Sequence, residues 1–251
     1  MDTRLTEERG ILFTGQMVGA VLGGKKTQTR RVAGGLAALN GGYYAGRVGK
    51  TSFADGKWWF YELGCGSSAL PVAGFPCPYG QPGSRLWVKE TFSIWDHSFN
   101  EVEVVYAADP DAAGKVVEFE NGEKPSGIYR RKRDGRKPWR PSIFMPRWAS
   151  RVTLELTDVR VERVQAISEE DAVAEGCVRV SQAEGDYYQG SAHPTKGAPK
   201  VFPCARAAYH DLWDSINARR GFGWAANPFV WVLSFRRIAA EQNFCASHGA
   251  G

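Results

Sequence analysis

No part of the sequence approaches the roughly 20 consecutive apolar residues that a membrane-crossing helix requires, so helical membrane spans are not expected. The opening Met1 to Gly10 is charged and leads into no apolar signal region, and a cytoplasmic location is expected from it. Cysteine is scarce and scattered. The five thiols (Cys65, Cys77, Cys177, Cys204 and Cys245) never fall in a C-x-x-C spacing, which argues against a disulfide framework and a zinc knuckle and for reduced thiols. The four histidines (His97, His193, His210 and His248) lack ligand spacing, so no metal and no cofactor are expected. Gly49-Lys50-Thr51 resembles the end of a phosphate-binding loop, but Tyr44 stands where that loop needs glycine. No internal repeat is present.

What remains is an ordinary globular composition. Among 251 residues, 43% are hydrophobic and 24% charged, enough apolar material for a real core and far from the depleted content of a disordered chain. The 32 Lys and Arg against 27 Asp and Glu give a net charge of +5, a mild bias toward anionic partners.

Local signals predict several elements. Ile11 to Phe13 reads as a short strand, and Thr14 caps a helix whose apolar face carries Met17, Val21 and Ala20, stopped at Gly23-Gly24. Leu86-Trp87-Val88 with Thr91-Phe92 reads as one strand and Glu101 to Tyr106 as another. From Val152 the apolar alternation changes phase across Thr157-Asp158, as in a long bulged strand. Ser168 caps a short helix rich in acidic residues that Gly176 ends. Ala208, Tyr209, Leu212, Trp213 and Ile216 form one face of an amphipathic helix closed by Arg219-Arg220-Gly221, and Phe229 to Phe235 reads as a buried strand. The segments at about 36–79, 93–140 and 178–203 read as loop-rich insertions, and 239–251 as a disordered tail.

Two clusters concentrate chemistry. Lys25-Lys26-Thr27-Gln28-Thr29-Arg30-Arg31 places hydroxyls and cations at a helix exit, where an anion or carbonyl oxygen could be held. Read without further context, the same residues also suit a solvated basic face. Between positions 130 and 140, Arg130, Arg131, Lys132 and Arg133 lie near Tyr129 and Trp139, a mixture suited to gripping phosphates and stacking bases of RNA or DNA. A solvated loop explains it equally well, with Trp139 plugging a barrel.

The segments Gly24 to Arg31, Pro82 to Val88, Ile167 to Gly176 and Pro228 to Ile238 together resemble an ASCH domain of the PUA-like group, in an arrangement similar to long ASCH proteins of phages and prophages. The resemblance covers roughly half of the chain. It implies an α+β fold: a small β-barrel with flanking helices and loop insertions, one domain over 1–238. It further implies the activity of bacterial N4-acetylcytidine amidohydrolases, with Lys26, Thr29 and Glu175 as catalytic residues. Thr27, Arg30 and Arg31 would then bind a nucleoside or modified nucleobase, Arg31 meeting a phosphate, a carboxylate or Glu175. Ser84 stands where the family usually has aspartate after Pro-Gly.

Amide hydrolysis needs a nucleophile, a proton acceptor and positive charge near the developing oxyanion. Two assignments are open: Thr29 attacks with neutral Lys26 as base, or Glu175 activates water while Lys26 and Thr29 bind the oxygen. The alternative class is a non-catalytic RNA, DNA or modified-base binding module, with ribonuclease activity behind it.

Overall fold

Thr14 starts the first helix as its side chain predicts, accepting a hydrogen bond from Met17 N, and Gly23 caps the end. The computed structural model describes residues 8–41, 47–62, 71–96, 98–109, 113–119, 139–182, 185–190 and 200–238. Along the chain the elements are β1 (Glu8–Leu12), α1 (Gly15–Leu22), β2 (Gln28–Arg31), α2 (Gly35–Leu39), β3 (Val48–Ala54), β4 (Lys57–Glu62), β5 (Pro71–Phe75), β6 (Arg85–Lys89), β7 (Phe92–Asp96), β8 (Glu101–Tyr106) and β9 (Lys115–Glu118). They continue with β10 (Thr153–Arg163), α3 (Glu169–Ala174), β11 (Val178–Gln182), β12 (Gly185–Gln189), α4 (Ala205–Asn217) and β13 (Phe229–Ile238).

The main sheet has five strands in the order β1-β6-β10-β13-β2. β1 runs parallel to β6 and the other pairs are antiparallel. The phase change in β10 is a bulge: register against β13 shifts between Leu156 and Asp158. β13 is buried from Phe229 to Leu233 and again at Phe235, which is why that stretch is a continuous apolar run rather than an alternation. Met17, Val18 and Val21 of α1 and Ala208, Tyr209, Leu212 and Trp213 of α4 join it in one core.

The fold is mixed α+β, strand-rich with few helices, and the expected barrel does not close among the described residues. β1 and β2 are the two edges of the sheet and share no ladder. β2 is four residues long and pairs only with β13. Where a closing ladder would run, Arg31 Nη2 donates to Leu12 O at 2.7 Å, and a cavity lies beside that side-chain bridge.

The expected insertions are more regular than loops. β3, β4 and β5 form an antiparallel meander whose Phe60 is fully buried and packs edge-on against Phe229, ring centroids 5.4 Å apart. The strand expected over 86–92 is two strands: Glu90 and Thr91 interrupt it, β6 joins the main sheet and β7 starts the sheet β7-β8-β9. β11 and β12 make a hairpin where a loop was expected. Ser84 serves its turn, its hydroxyl accepting from Gln81 N at 3.0 Å. Trp139 is 42% exposed and plugs nothing. The tail 239–251 lies outside the described residues, as do Cys65 and Cys245.

Candidate functional site

Helix α3 carries the acid of the site. Ser168 Oγ accepts from Asp171 N at 3.1 Å, and Glu169, Glu170 and Asp171 occupy the first turn, where the helix dipole favours negative charge. The helix ends at Glu175, with Gly176 taking the left-handed conformation (φ 99°) that stops it. Glu175 therefore has two unfavourable features: a terminal carbonyl without a helical partner and a carboxylate at the negative end of the dipole.

Lys26 answers both. Its Nζ donates to Glu175 O at 2.8 Å and to Glu175 Oε2 at 2.7 Å, across 149 positions of sequence. The lysine is aimed there by the exit of α1, where Gly24 (φ 69°) turns the chain and the amides of Lys25 and Lys26 both donate to Ala20 O. Thr27 N then donates to Ala174 O at 2.8 Å, fixing the turn against the end of α3. Lys26 is 2% exposed and Glu175 3%. Burial pulls the Lys26 pKa below the ordinary lysine value, against the opposing pull of Glu175.

From Gln28 the backbone is a strand, so alternate side chains face alternate ways. Gln28 and Arg30 engage the acidic side of α3. Arg30 Nη2 donates to Asp171 Oδ2 at 2.7 Å and Glu162 Oε2 at 3.1 Å, while Nη1 donates to Gln28 Oε1 at 2.6 Å and reaches Glu175 Oε1 at 3.5 Å. Arg160 closes the cluster with a bond to Asp171 Oδ2 at 2.7 Å and another to Glu162. Burial opposes the Arg30 charge, yet Glu175, Tyr209 and Asp171 outweigh it and raise the pKa. Arg30, not Arg31, is thus the arginine that meets Glu175.

Thr29 and Arg31 alternate with that pair. Thr29 is buried, and its hydroxyl makes no hydrogen bond to any described residue. Arg31 lies over the Phe13 ring, 5.2 Å from its centroid, and its Nε is buried without a partner.

A cavity of about 490 Å³ opens between these elements, within the roughly 300–1,000 Å³ range of small-ligand pockets. Gly10, Ile11 and Leu12 of β1 line one side; Thr29, Arg30, Arg31 and Glu175 line another. Tyr209, Leu212, Trp213, Ile216 and Asn217 supply the α4 wall, at the spacing of a single helix face. Burial, then the adjacent Glu175, raises the Tyr209 pKa well above the ordinary tyrosine value, so the phenol keeps its proton and remains a donor. Its hydroxyl makes no hydrogen bond to a described residue. Asn217 Nδ2 donates to Trp213 O at 3.2 Å, and its Oδ1 makes no such bond. Cys177, buried nearby, is pushed up to about 12 by burial and makes a poor nucleophile.

The sequence-derived candidates therefore separate. Thr29, Arg30, Arg31 and Glu175 meet at the cavity, and Lys26 stands behind Glu175 rather than in the cavity wall. Thr27 is exposed and contributes its backbone. Arg130, Arg131, Lys132 and Arg133 lie outside the described residues, and Trp139 does not line the cavity. Tyr79, Tyr209, Asn217 and Arg220 are lining residues that sequence reasoning missed. Among the described residues no group of three or more His, Cys, Asp and Glu is placed to hold a metal ion, and no helix is long and apolar enough to cross a membrane. Comparison with protein-family models, curated proteins and solved structures gives no match.

Proposed function

We propose that this chain is an ASCH-type amidohydrolase that removes the acyl group from an N4-acylated cytosine base, nucleoside or nucleotide. One observation carries the reading: the Glu175 carboxylate, gripped by Lys26 at 2.7 Å, belongs to the wall of a cavity that also presents the unbonded Thr29 hydroxyl. The sealed position of Lys26, whose side chain is 0% exposed, favours Glu175 over Lys26 as the group that moves the proton.

In this mechanism Glu175 accepts a proton from water as the water oxygen bonds to the acyl carbon. Thr29 Oγ and the Tyr209 phenol donate hydrogen bonds to the oxygen that becomes negative. The tetrahedral intermediate collapses with cleavage of the carbon–nitrogen bond. Glu175 returns its proton to the departing amine, leaving a carboxylate product and the free cytosine amino group. Lys26 is a positioning residue: its Nζ holds Glu175 Oε2 in place, and its bond to Glu175 O locks the end of α3.

The test is conversion of N4-acetylcytidine and other N4-acylated cytidines to cytidine by purified protein, with Glu175→Gln beside it. Wild-type turnover and a loss of about 10²–10⁴-fold in Glu175→Gln are expected. Undiminished turnover in that variant removes Glu175 from the mechanism, and no turnover by the wild type on any member of the panel overturns the hydrolase. In the latter case, RNA or DNA affinity that falls steeply with salt would assign the chain to the binding class instead.

A further inference from the structure

The cavity is electrostatically lopsided. Among the described residues its charged lining consists of Arg30, Arg31 and Arg220 against the single acid Glu175. That acid is already bound by Lys26, and Arg30 is answered by Asp171 and Glu162 as well. Arg31 and Arg220 have no carboxylate partner among the described residues. Arg31 spends one N–H on Leu12 O, and its Nε is buried with nothing to donate to. Arg220 leans on the Phe222 ring, 6.0 Å from its centroid, and makes no ion pair with a described residue.

The two arginines line the same cavity. Tyr79 lines the same cavity and feels both: burial raises its pKa, while the charges of Arg31 and Arg220 act in the opposite direction. A half-buried guanidinium with an unpaired donor and a second cation nearby is unfavourable unless an anion completes the set. Planar N–H forks are also the geometry that matches phosphate oxygens.

We infer that Arg31, Arg220 and the Tyr79 hydroxyl form an anion subsite that takes the terminal phosphate of a nucleoside monophosphate, so that the favoured substrate is a nucleotide rather than a nucleoside. The identity of the base rests on the hydrolase reading; the phosphate does not. A cavity of about 490 Å³ falls within the roughly 300–1,000 Å³ range of small-ligand pockets and suits one nucleotide.

The experiment measures binding of cytidine, cytidine 5′-monophosphate and inorganic phosphate by calorimetry. It also measures turnover of N4-acetylcytidine and its 5′-monophosphate. Wild type, Arg220→Ala and Arg219→Ala are compared, since Arg219 is an exposed neighbour that does not line the cavity. The monophosphate should bind at least about tenfold more tightly than cytidine, a preference weakened by salt and reduced about tenfold in Arg220→Ala but not in Arg219→Ala. Equal affinity for cytidine and its monophosphate overturns the subsite, as does an equal loss in both variants, which would mark a diffuse field. An oligonucleotide with internal phosphates only, bound as tightly as the mononucleotide, overturns the mononucleotide assignment. Phosphate binding that depends on Arg220 while neither acylated substrate is hydrolysed sinks the hydrolase and leaves the subsite standing. Hydrolysis without phosphate preference does the reverse.

Discussion

Among the described residues, two buried ionic clusters differ in what they leave undone. In one, Glu90 is 1% exposed and both its oxygens accept from Arg151 at 2.9 Å. Arg151 Nη1 donates to Asp109 Oδ2 at 2.8 Å, and the guanidinium stacks 4.0 Å from the Tyr106 ring centroid. The Tyr106 hydroxyl is itself spent on Ala149 O at 2.8 Å. Only Asp109 Oδ1 goes unpartnered there, and none of these residues lines the cavity. In the other, Lys26, Glu175, Arg30 and Asp171 are as firmly paired, but the adjoining side chains are not. The Thr29 and Tyr209 hydroxyls and the Nε atoms of Arg30 and Arg31 have no partner among the described residues. Buried charge alone therefore marks architecture. A site is marked by buried charge bordering a cavity that also receives unspent donors.

Removing one partner of each cluster tests that distinction. Lys26→Met leaves the Glu175 carboxylate buried at a helix end and takes the donor from its carbonyl, so a loss of about 3–5 kcal/mol in chemical denaturation is expected. Adding Glu175→Gln to that variant should recover part of the stability, because no uncompensated charge remains, while turnover stays lost. Equal destabilisation in the single and double variants would show that Lys26 acts by packing. Glu90→Gln should cost less, about 2–3 kcal/mol, because Asp109 still answers Arg151. Turnover measured well below its melting temperature should match the wild type. A fall in turnover of the purified, folded variant would mean that the two clusters are coupled.

The parts of this molecule legible in its sequence are those set within a few residues. Thr14 and Ser168 act as caps, Gly176 stops α3, and the phase change at Thr157-Asp158 is a bulge, because each depends on local backbone geometry. The meander β3-β4-β5 was hidden because its strands lack alternation: Lys57-Trp58-Trp59-Phe60-Tyr61-Glu62 carries four aromatics, of which Phe60 alone is buried. The pairing of Lys26 with Glu175 was suggested by resemblance, not by any local rule: it is made by the Lys26 Nζ bonds to Glu175, across 149 positions, and the Thr27 N bond to Ala174 O, contacts that no sequence spacing encodes. Arg30 and Arg31 could have been told apart: once Gln28–Arg31 is a strand, Gln28 and Arg30 share one face and Thr29 and Arg31 the other. Tyr209 and Asn217 were masked by good helix periodicity, which reports that a face is buried and not what it is buried against.

The smallest expected change in stability belongs to the residue that should matter most to turnover after Glu175. Thr29→Val keeps the side-chain shape and the pairing of Thr29 with Leu233, and it removes a hydroxyl that bonds to no described residue. Folding should shift by less than about 1 kcal/mol, since no hydrogen bond is broken and a β-branched residue stays in a strand. If the hydroxyl stabilises developing charge, kcat should fall about 10²–10³-fold with KM little altered, because that interaction strengthens only as the carbonyl oxygen becomes an oxyanion. A rise in KM at constant kcat would instead make Thr29 a ground-state contact and leave Tyr209 as the oxyanion donor. Wild-type kinetics in Thr29→Val would mean that an unspent hydroxyl beside buried charge is no sign of chemistry, and the contrast between the two clusters would then carry no functional meaning.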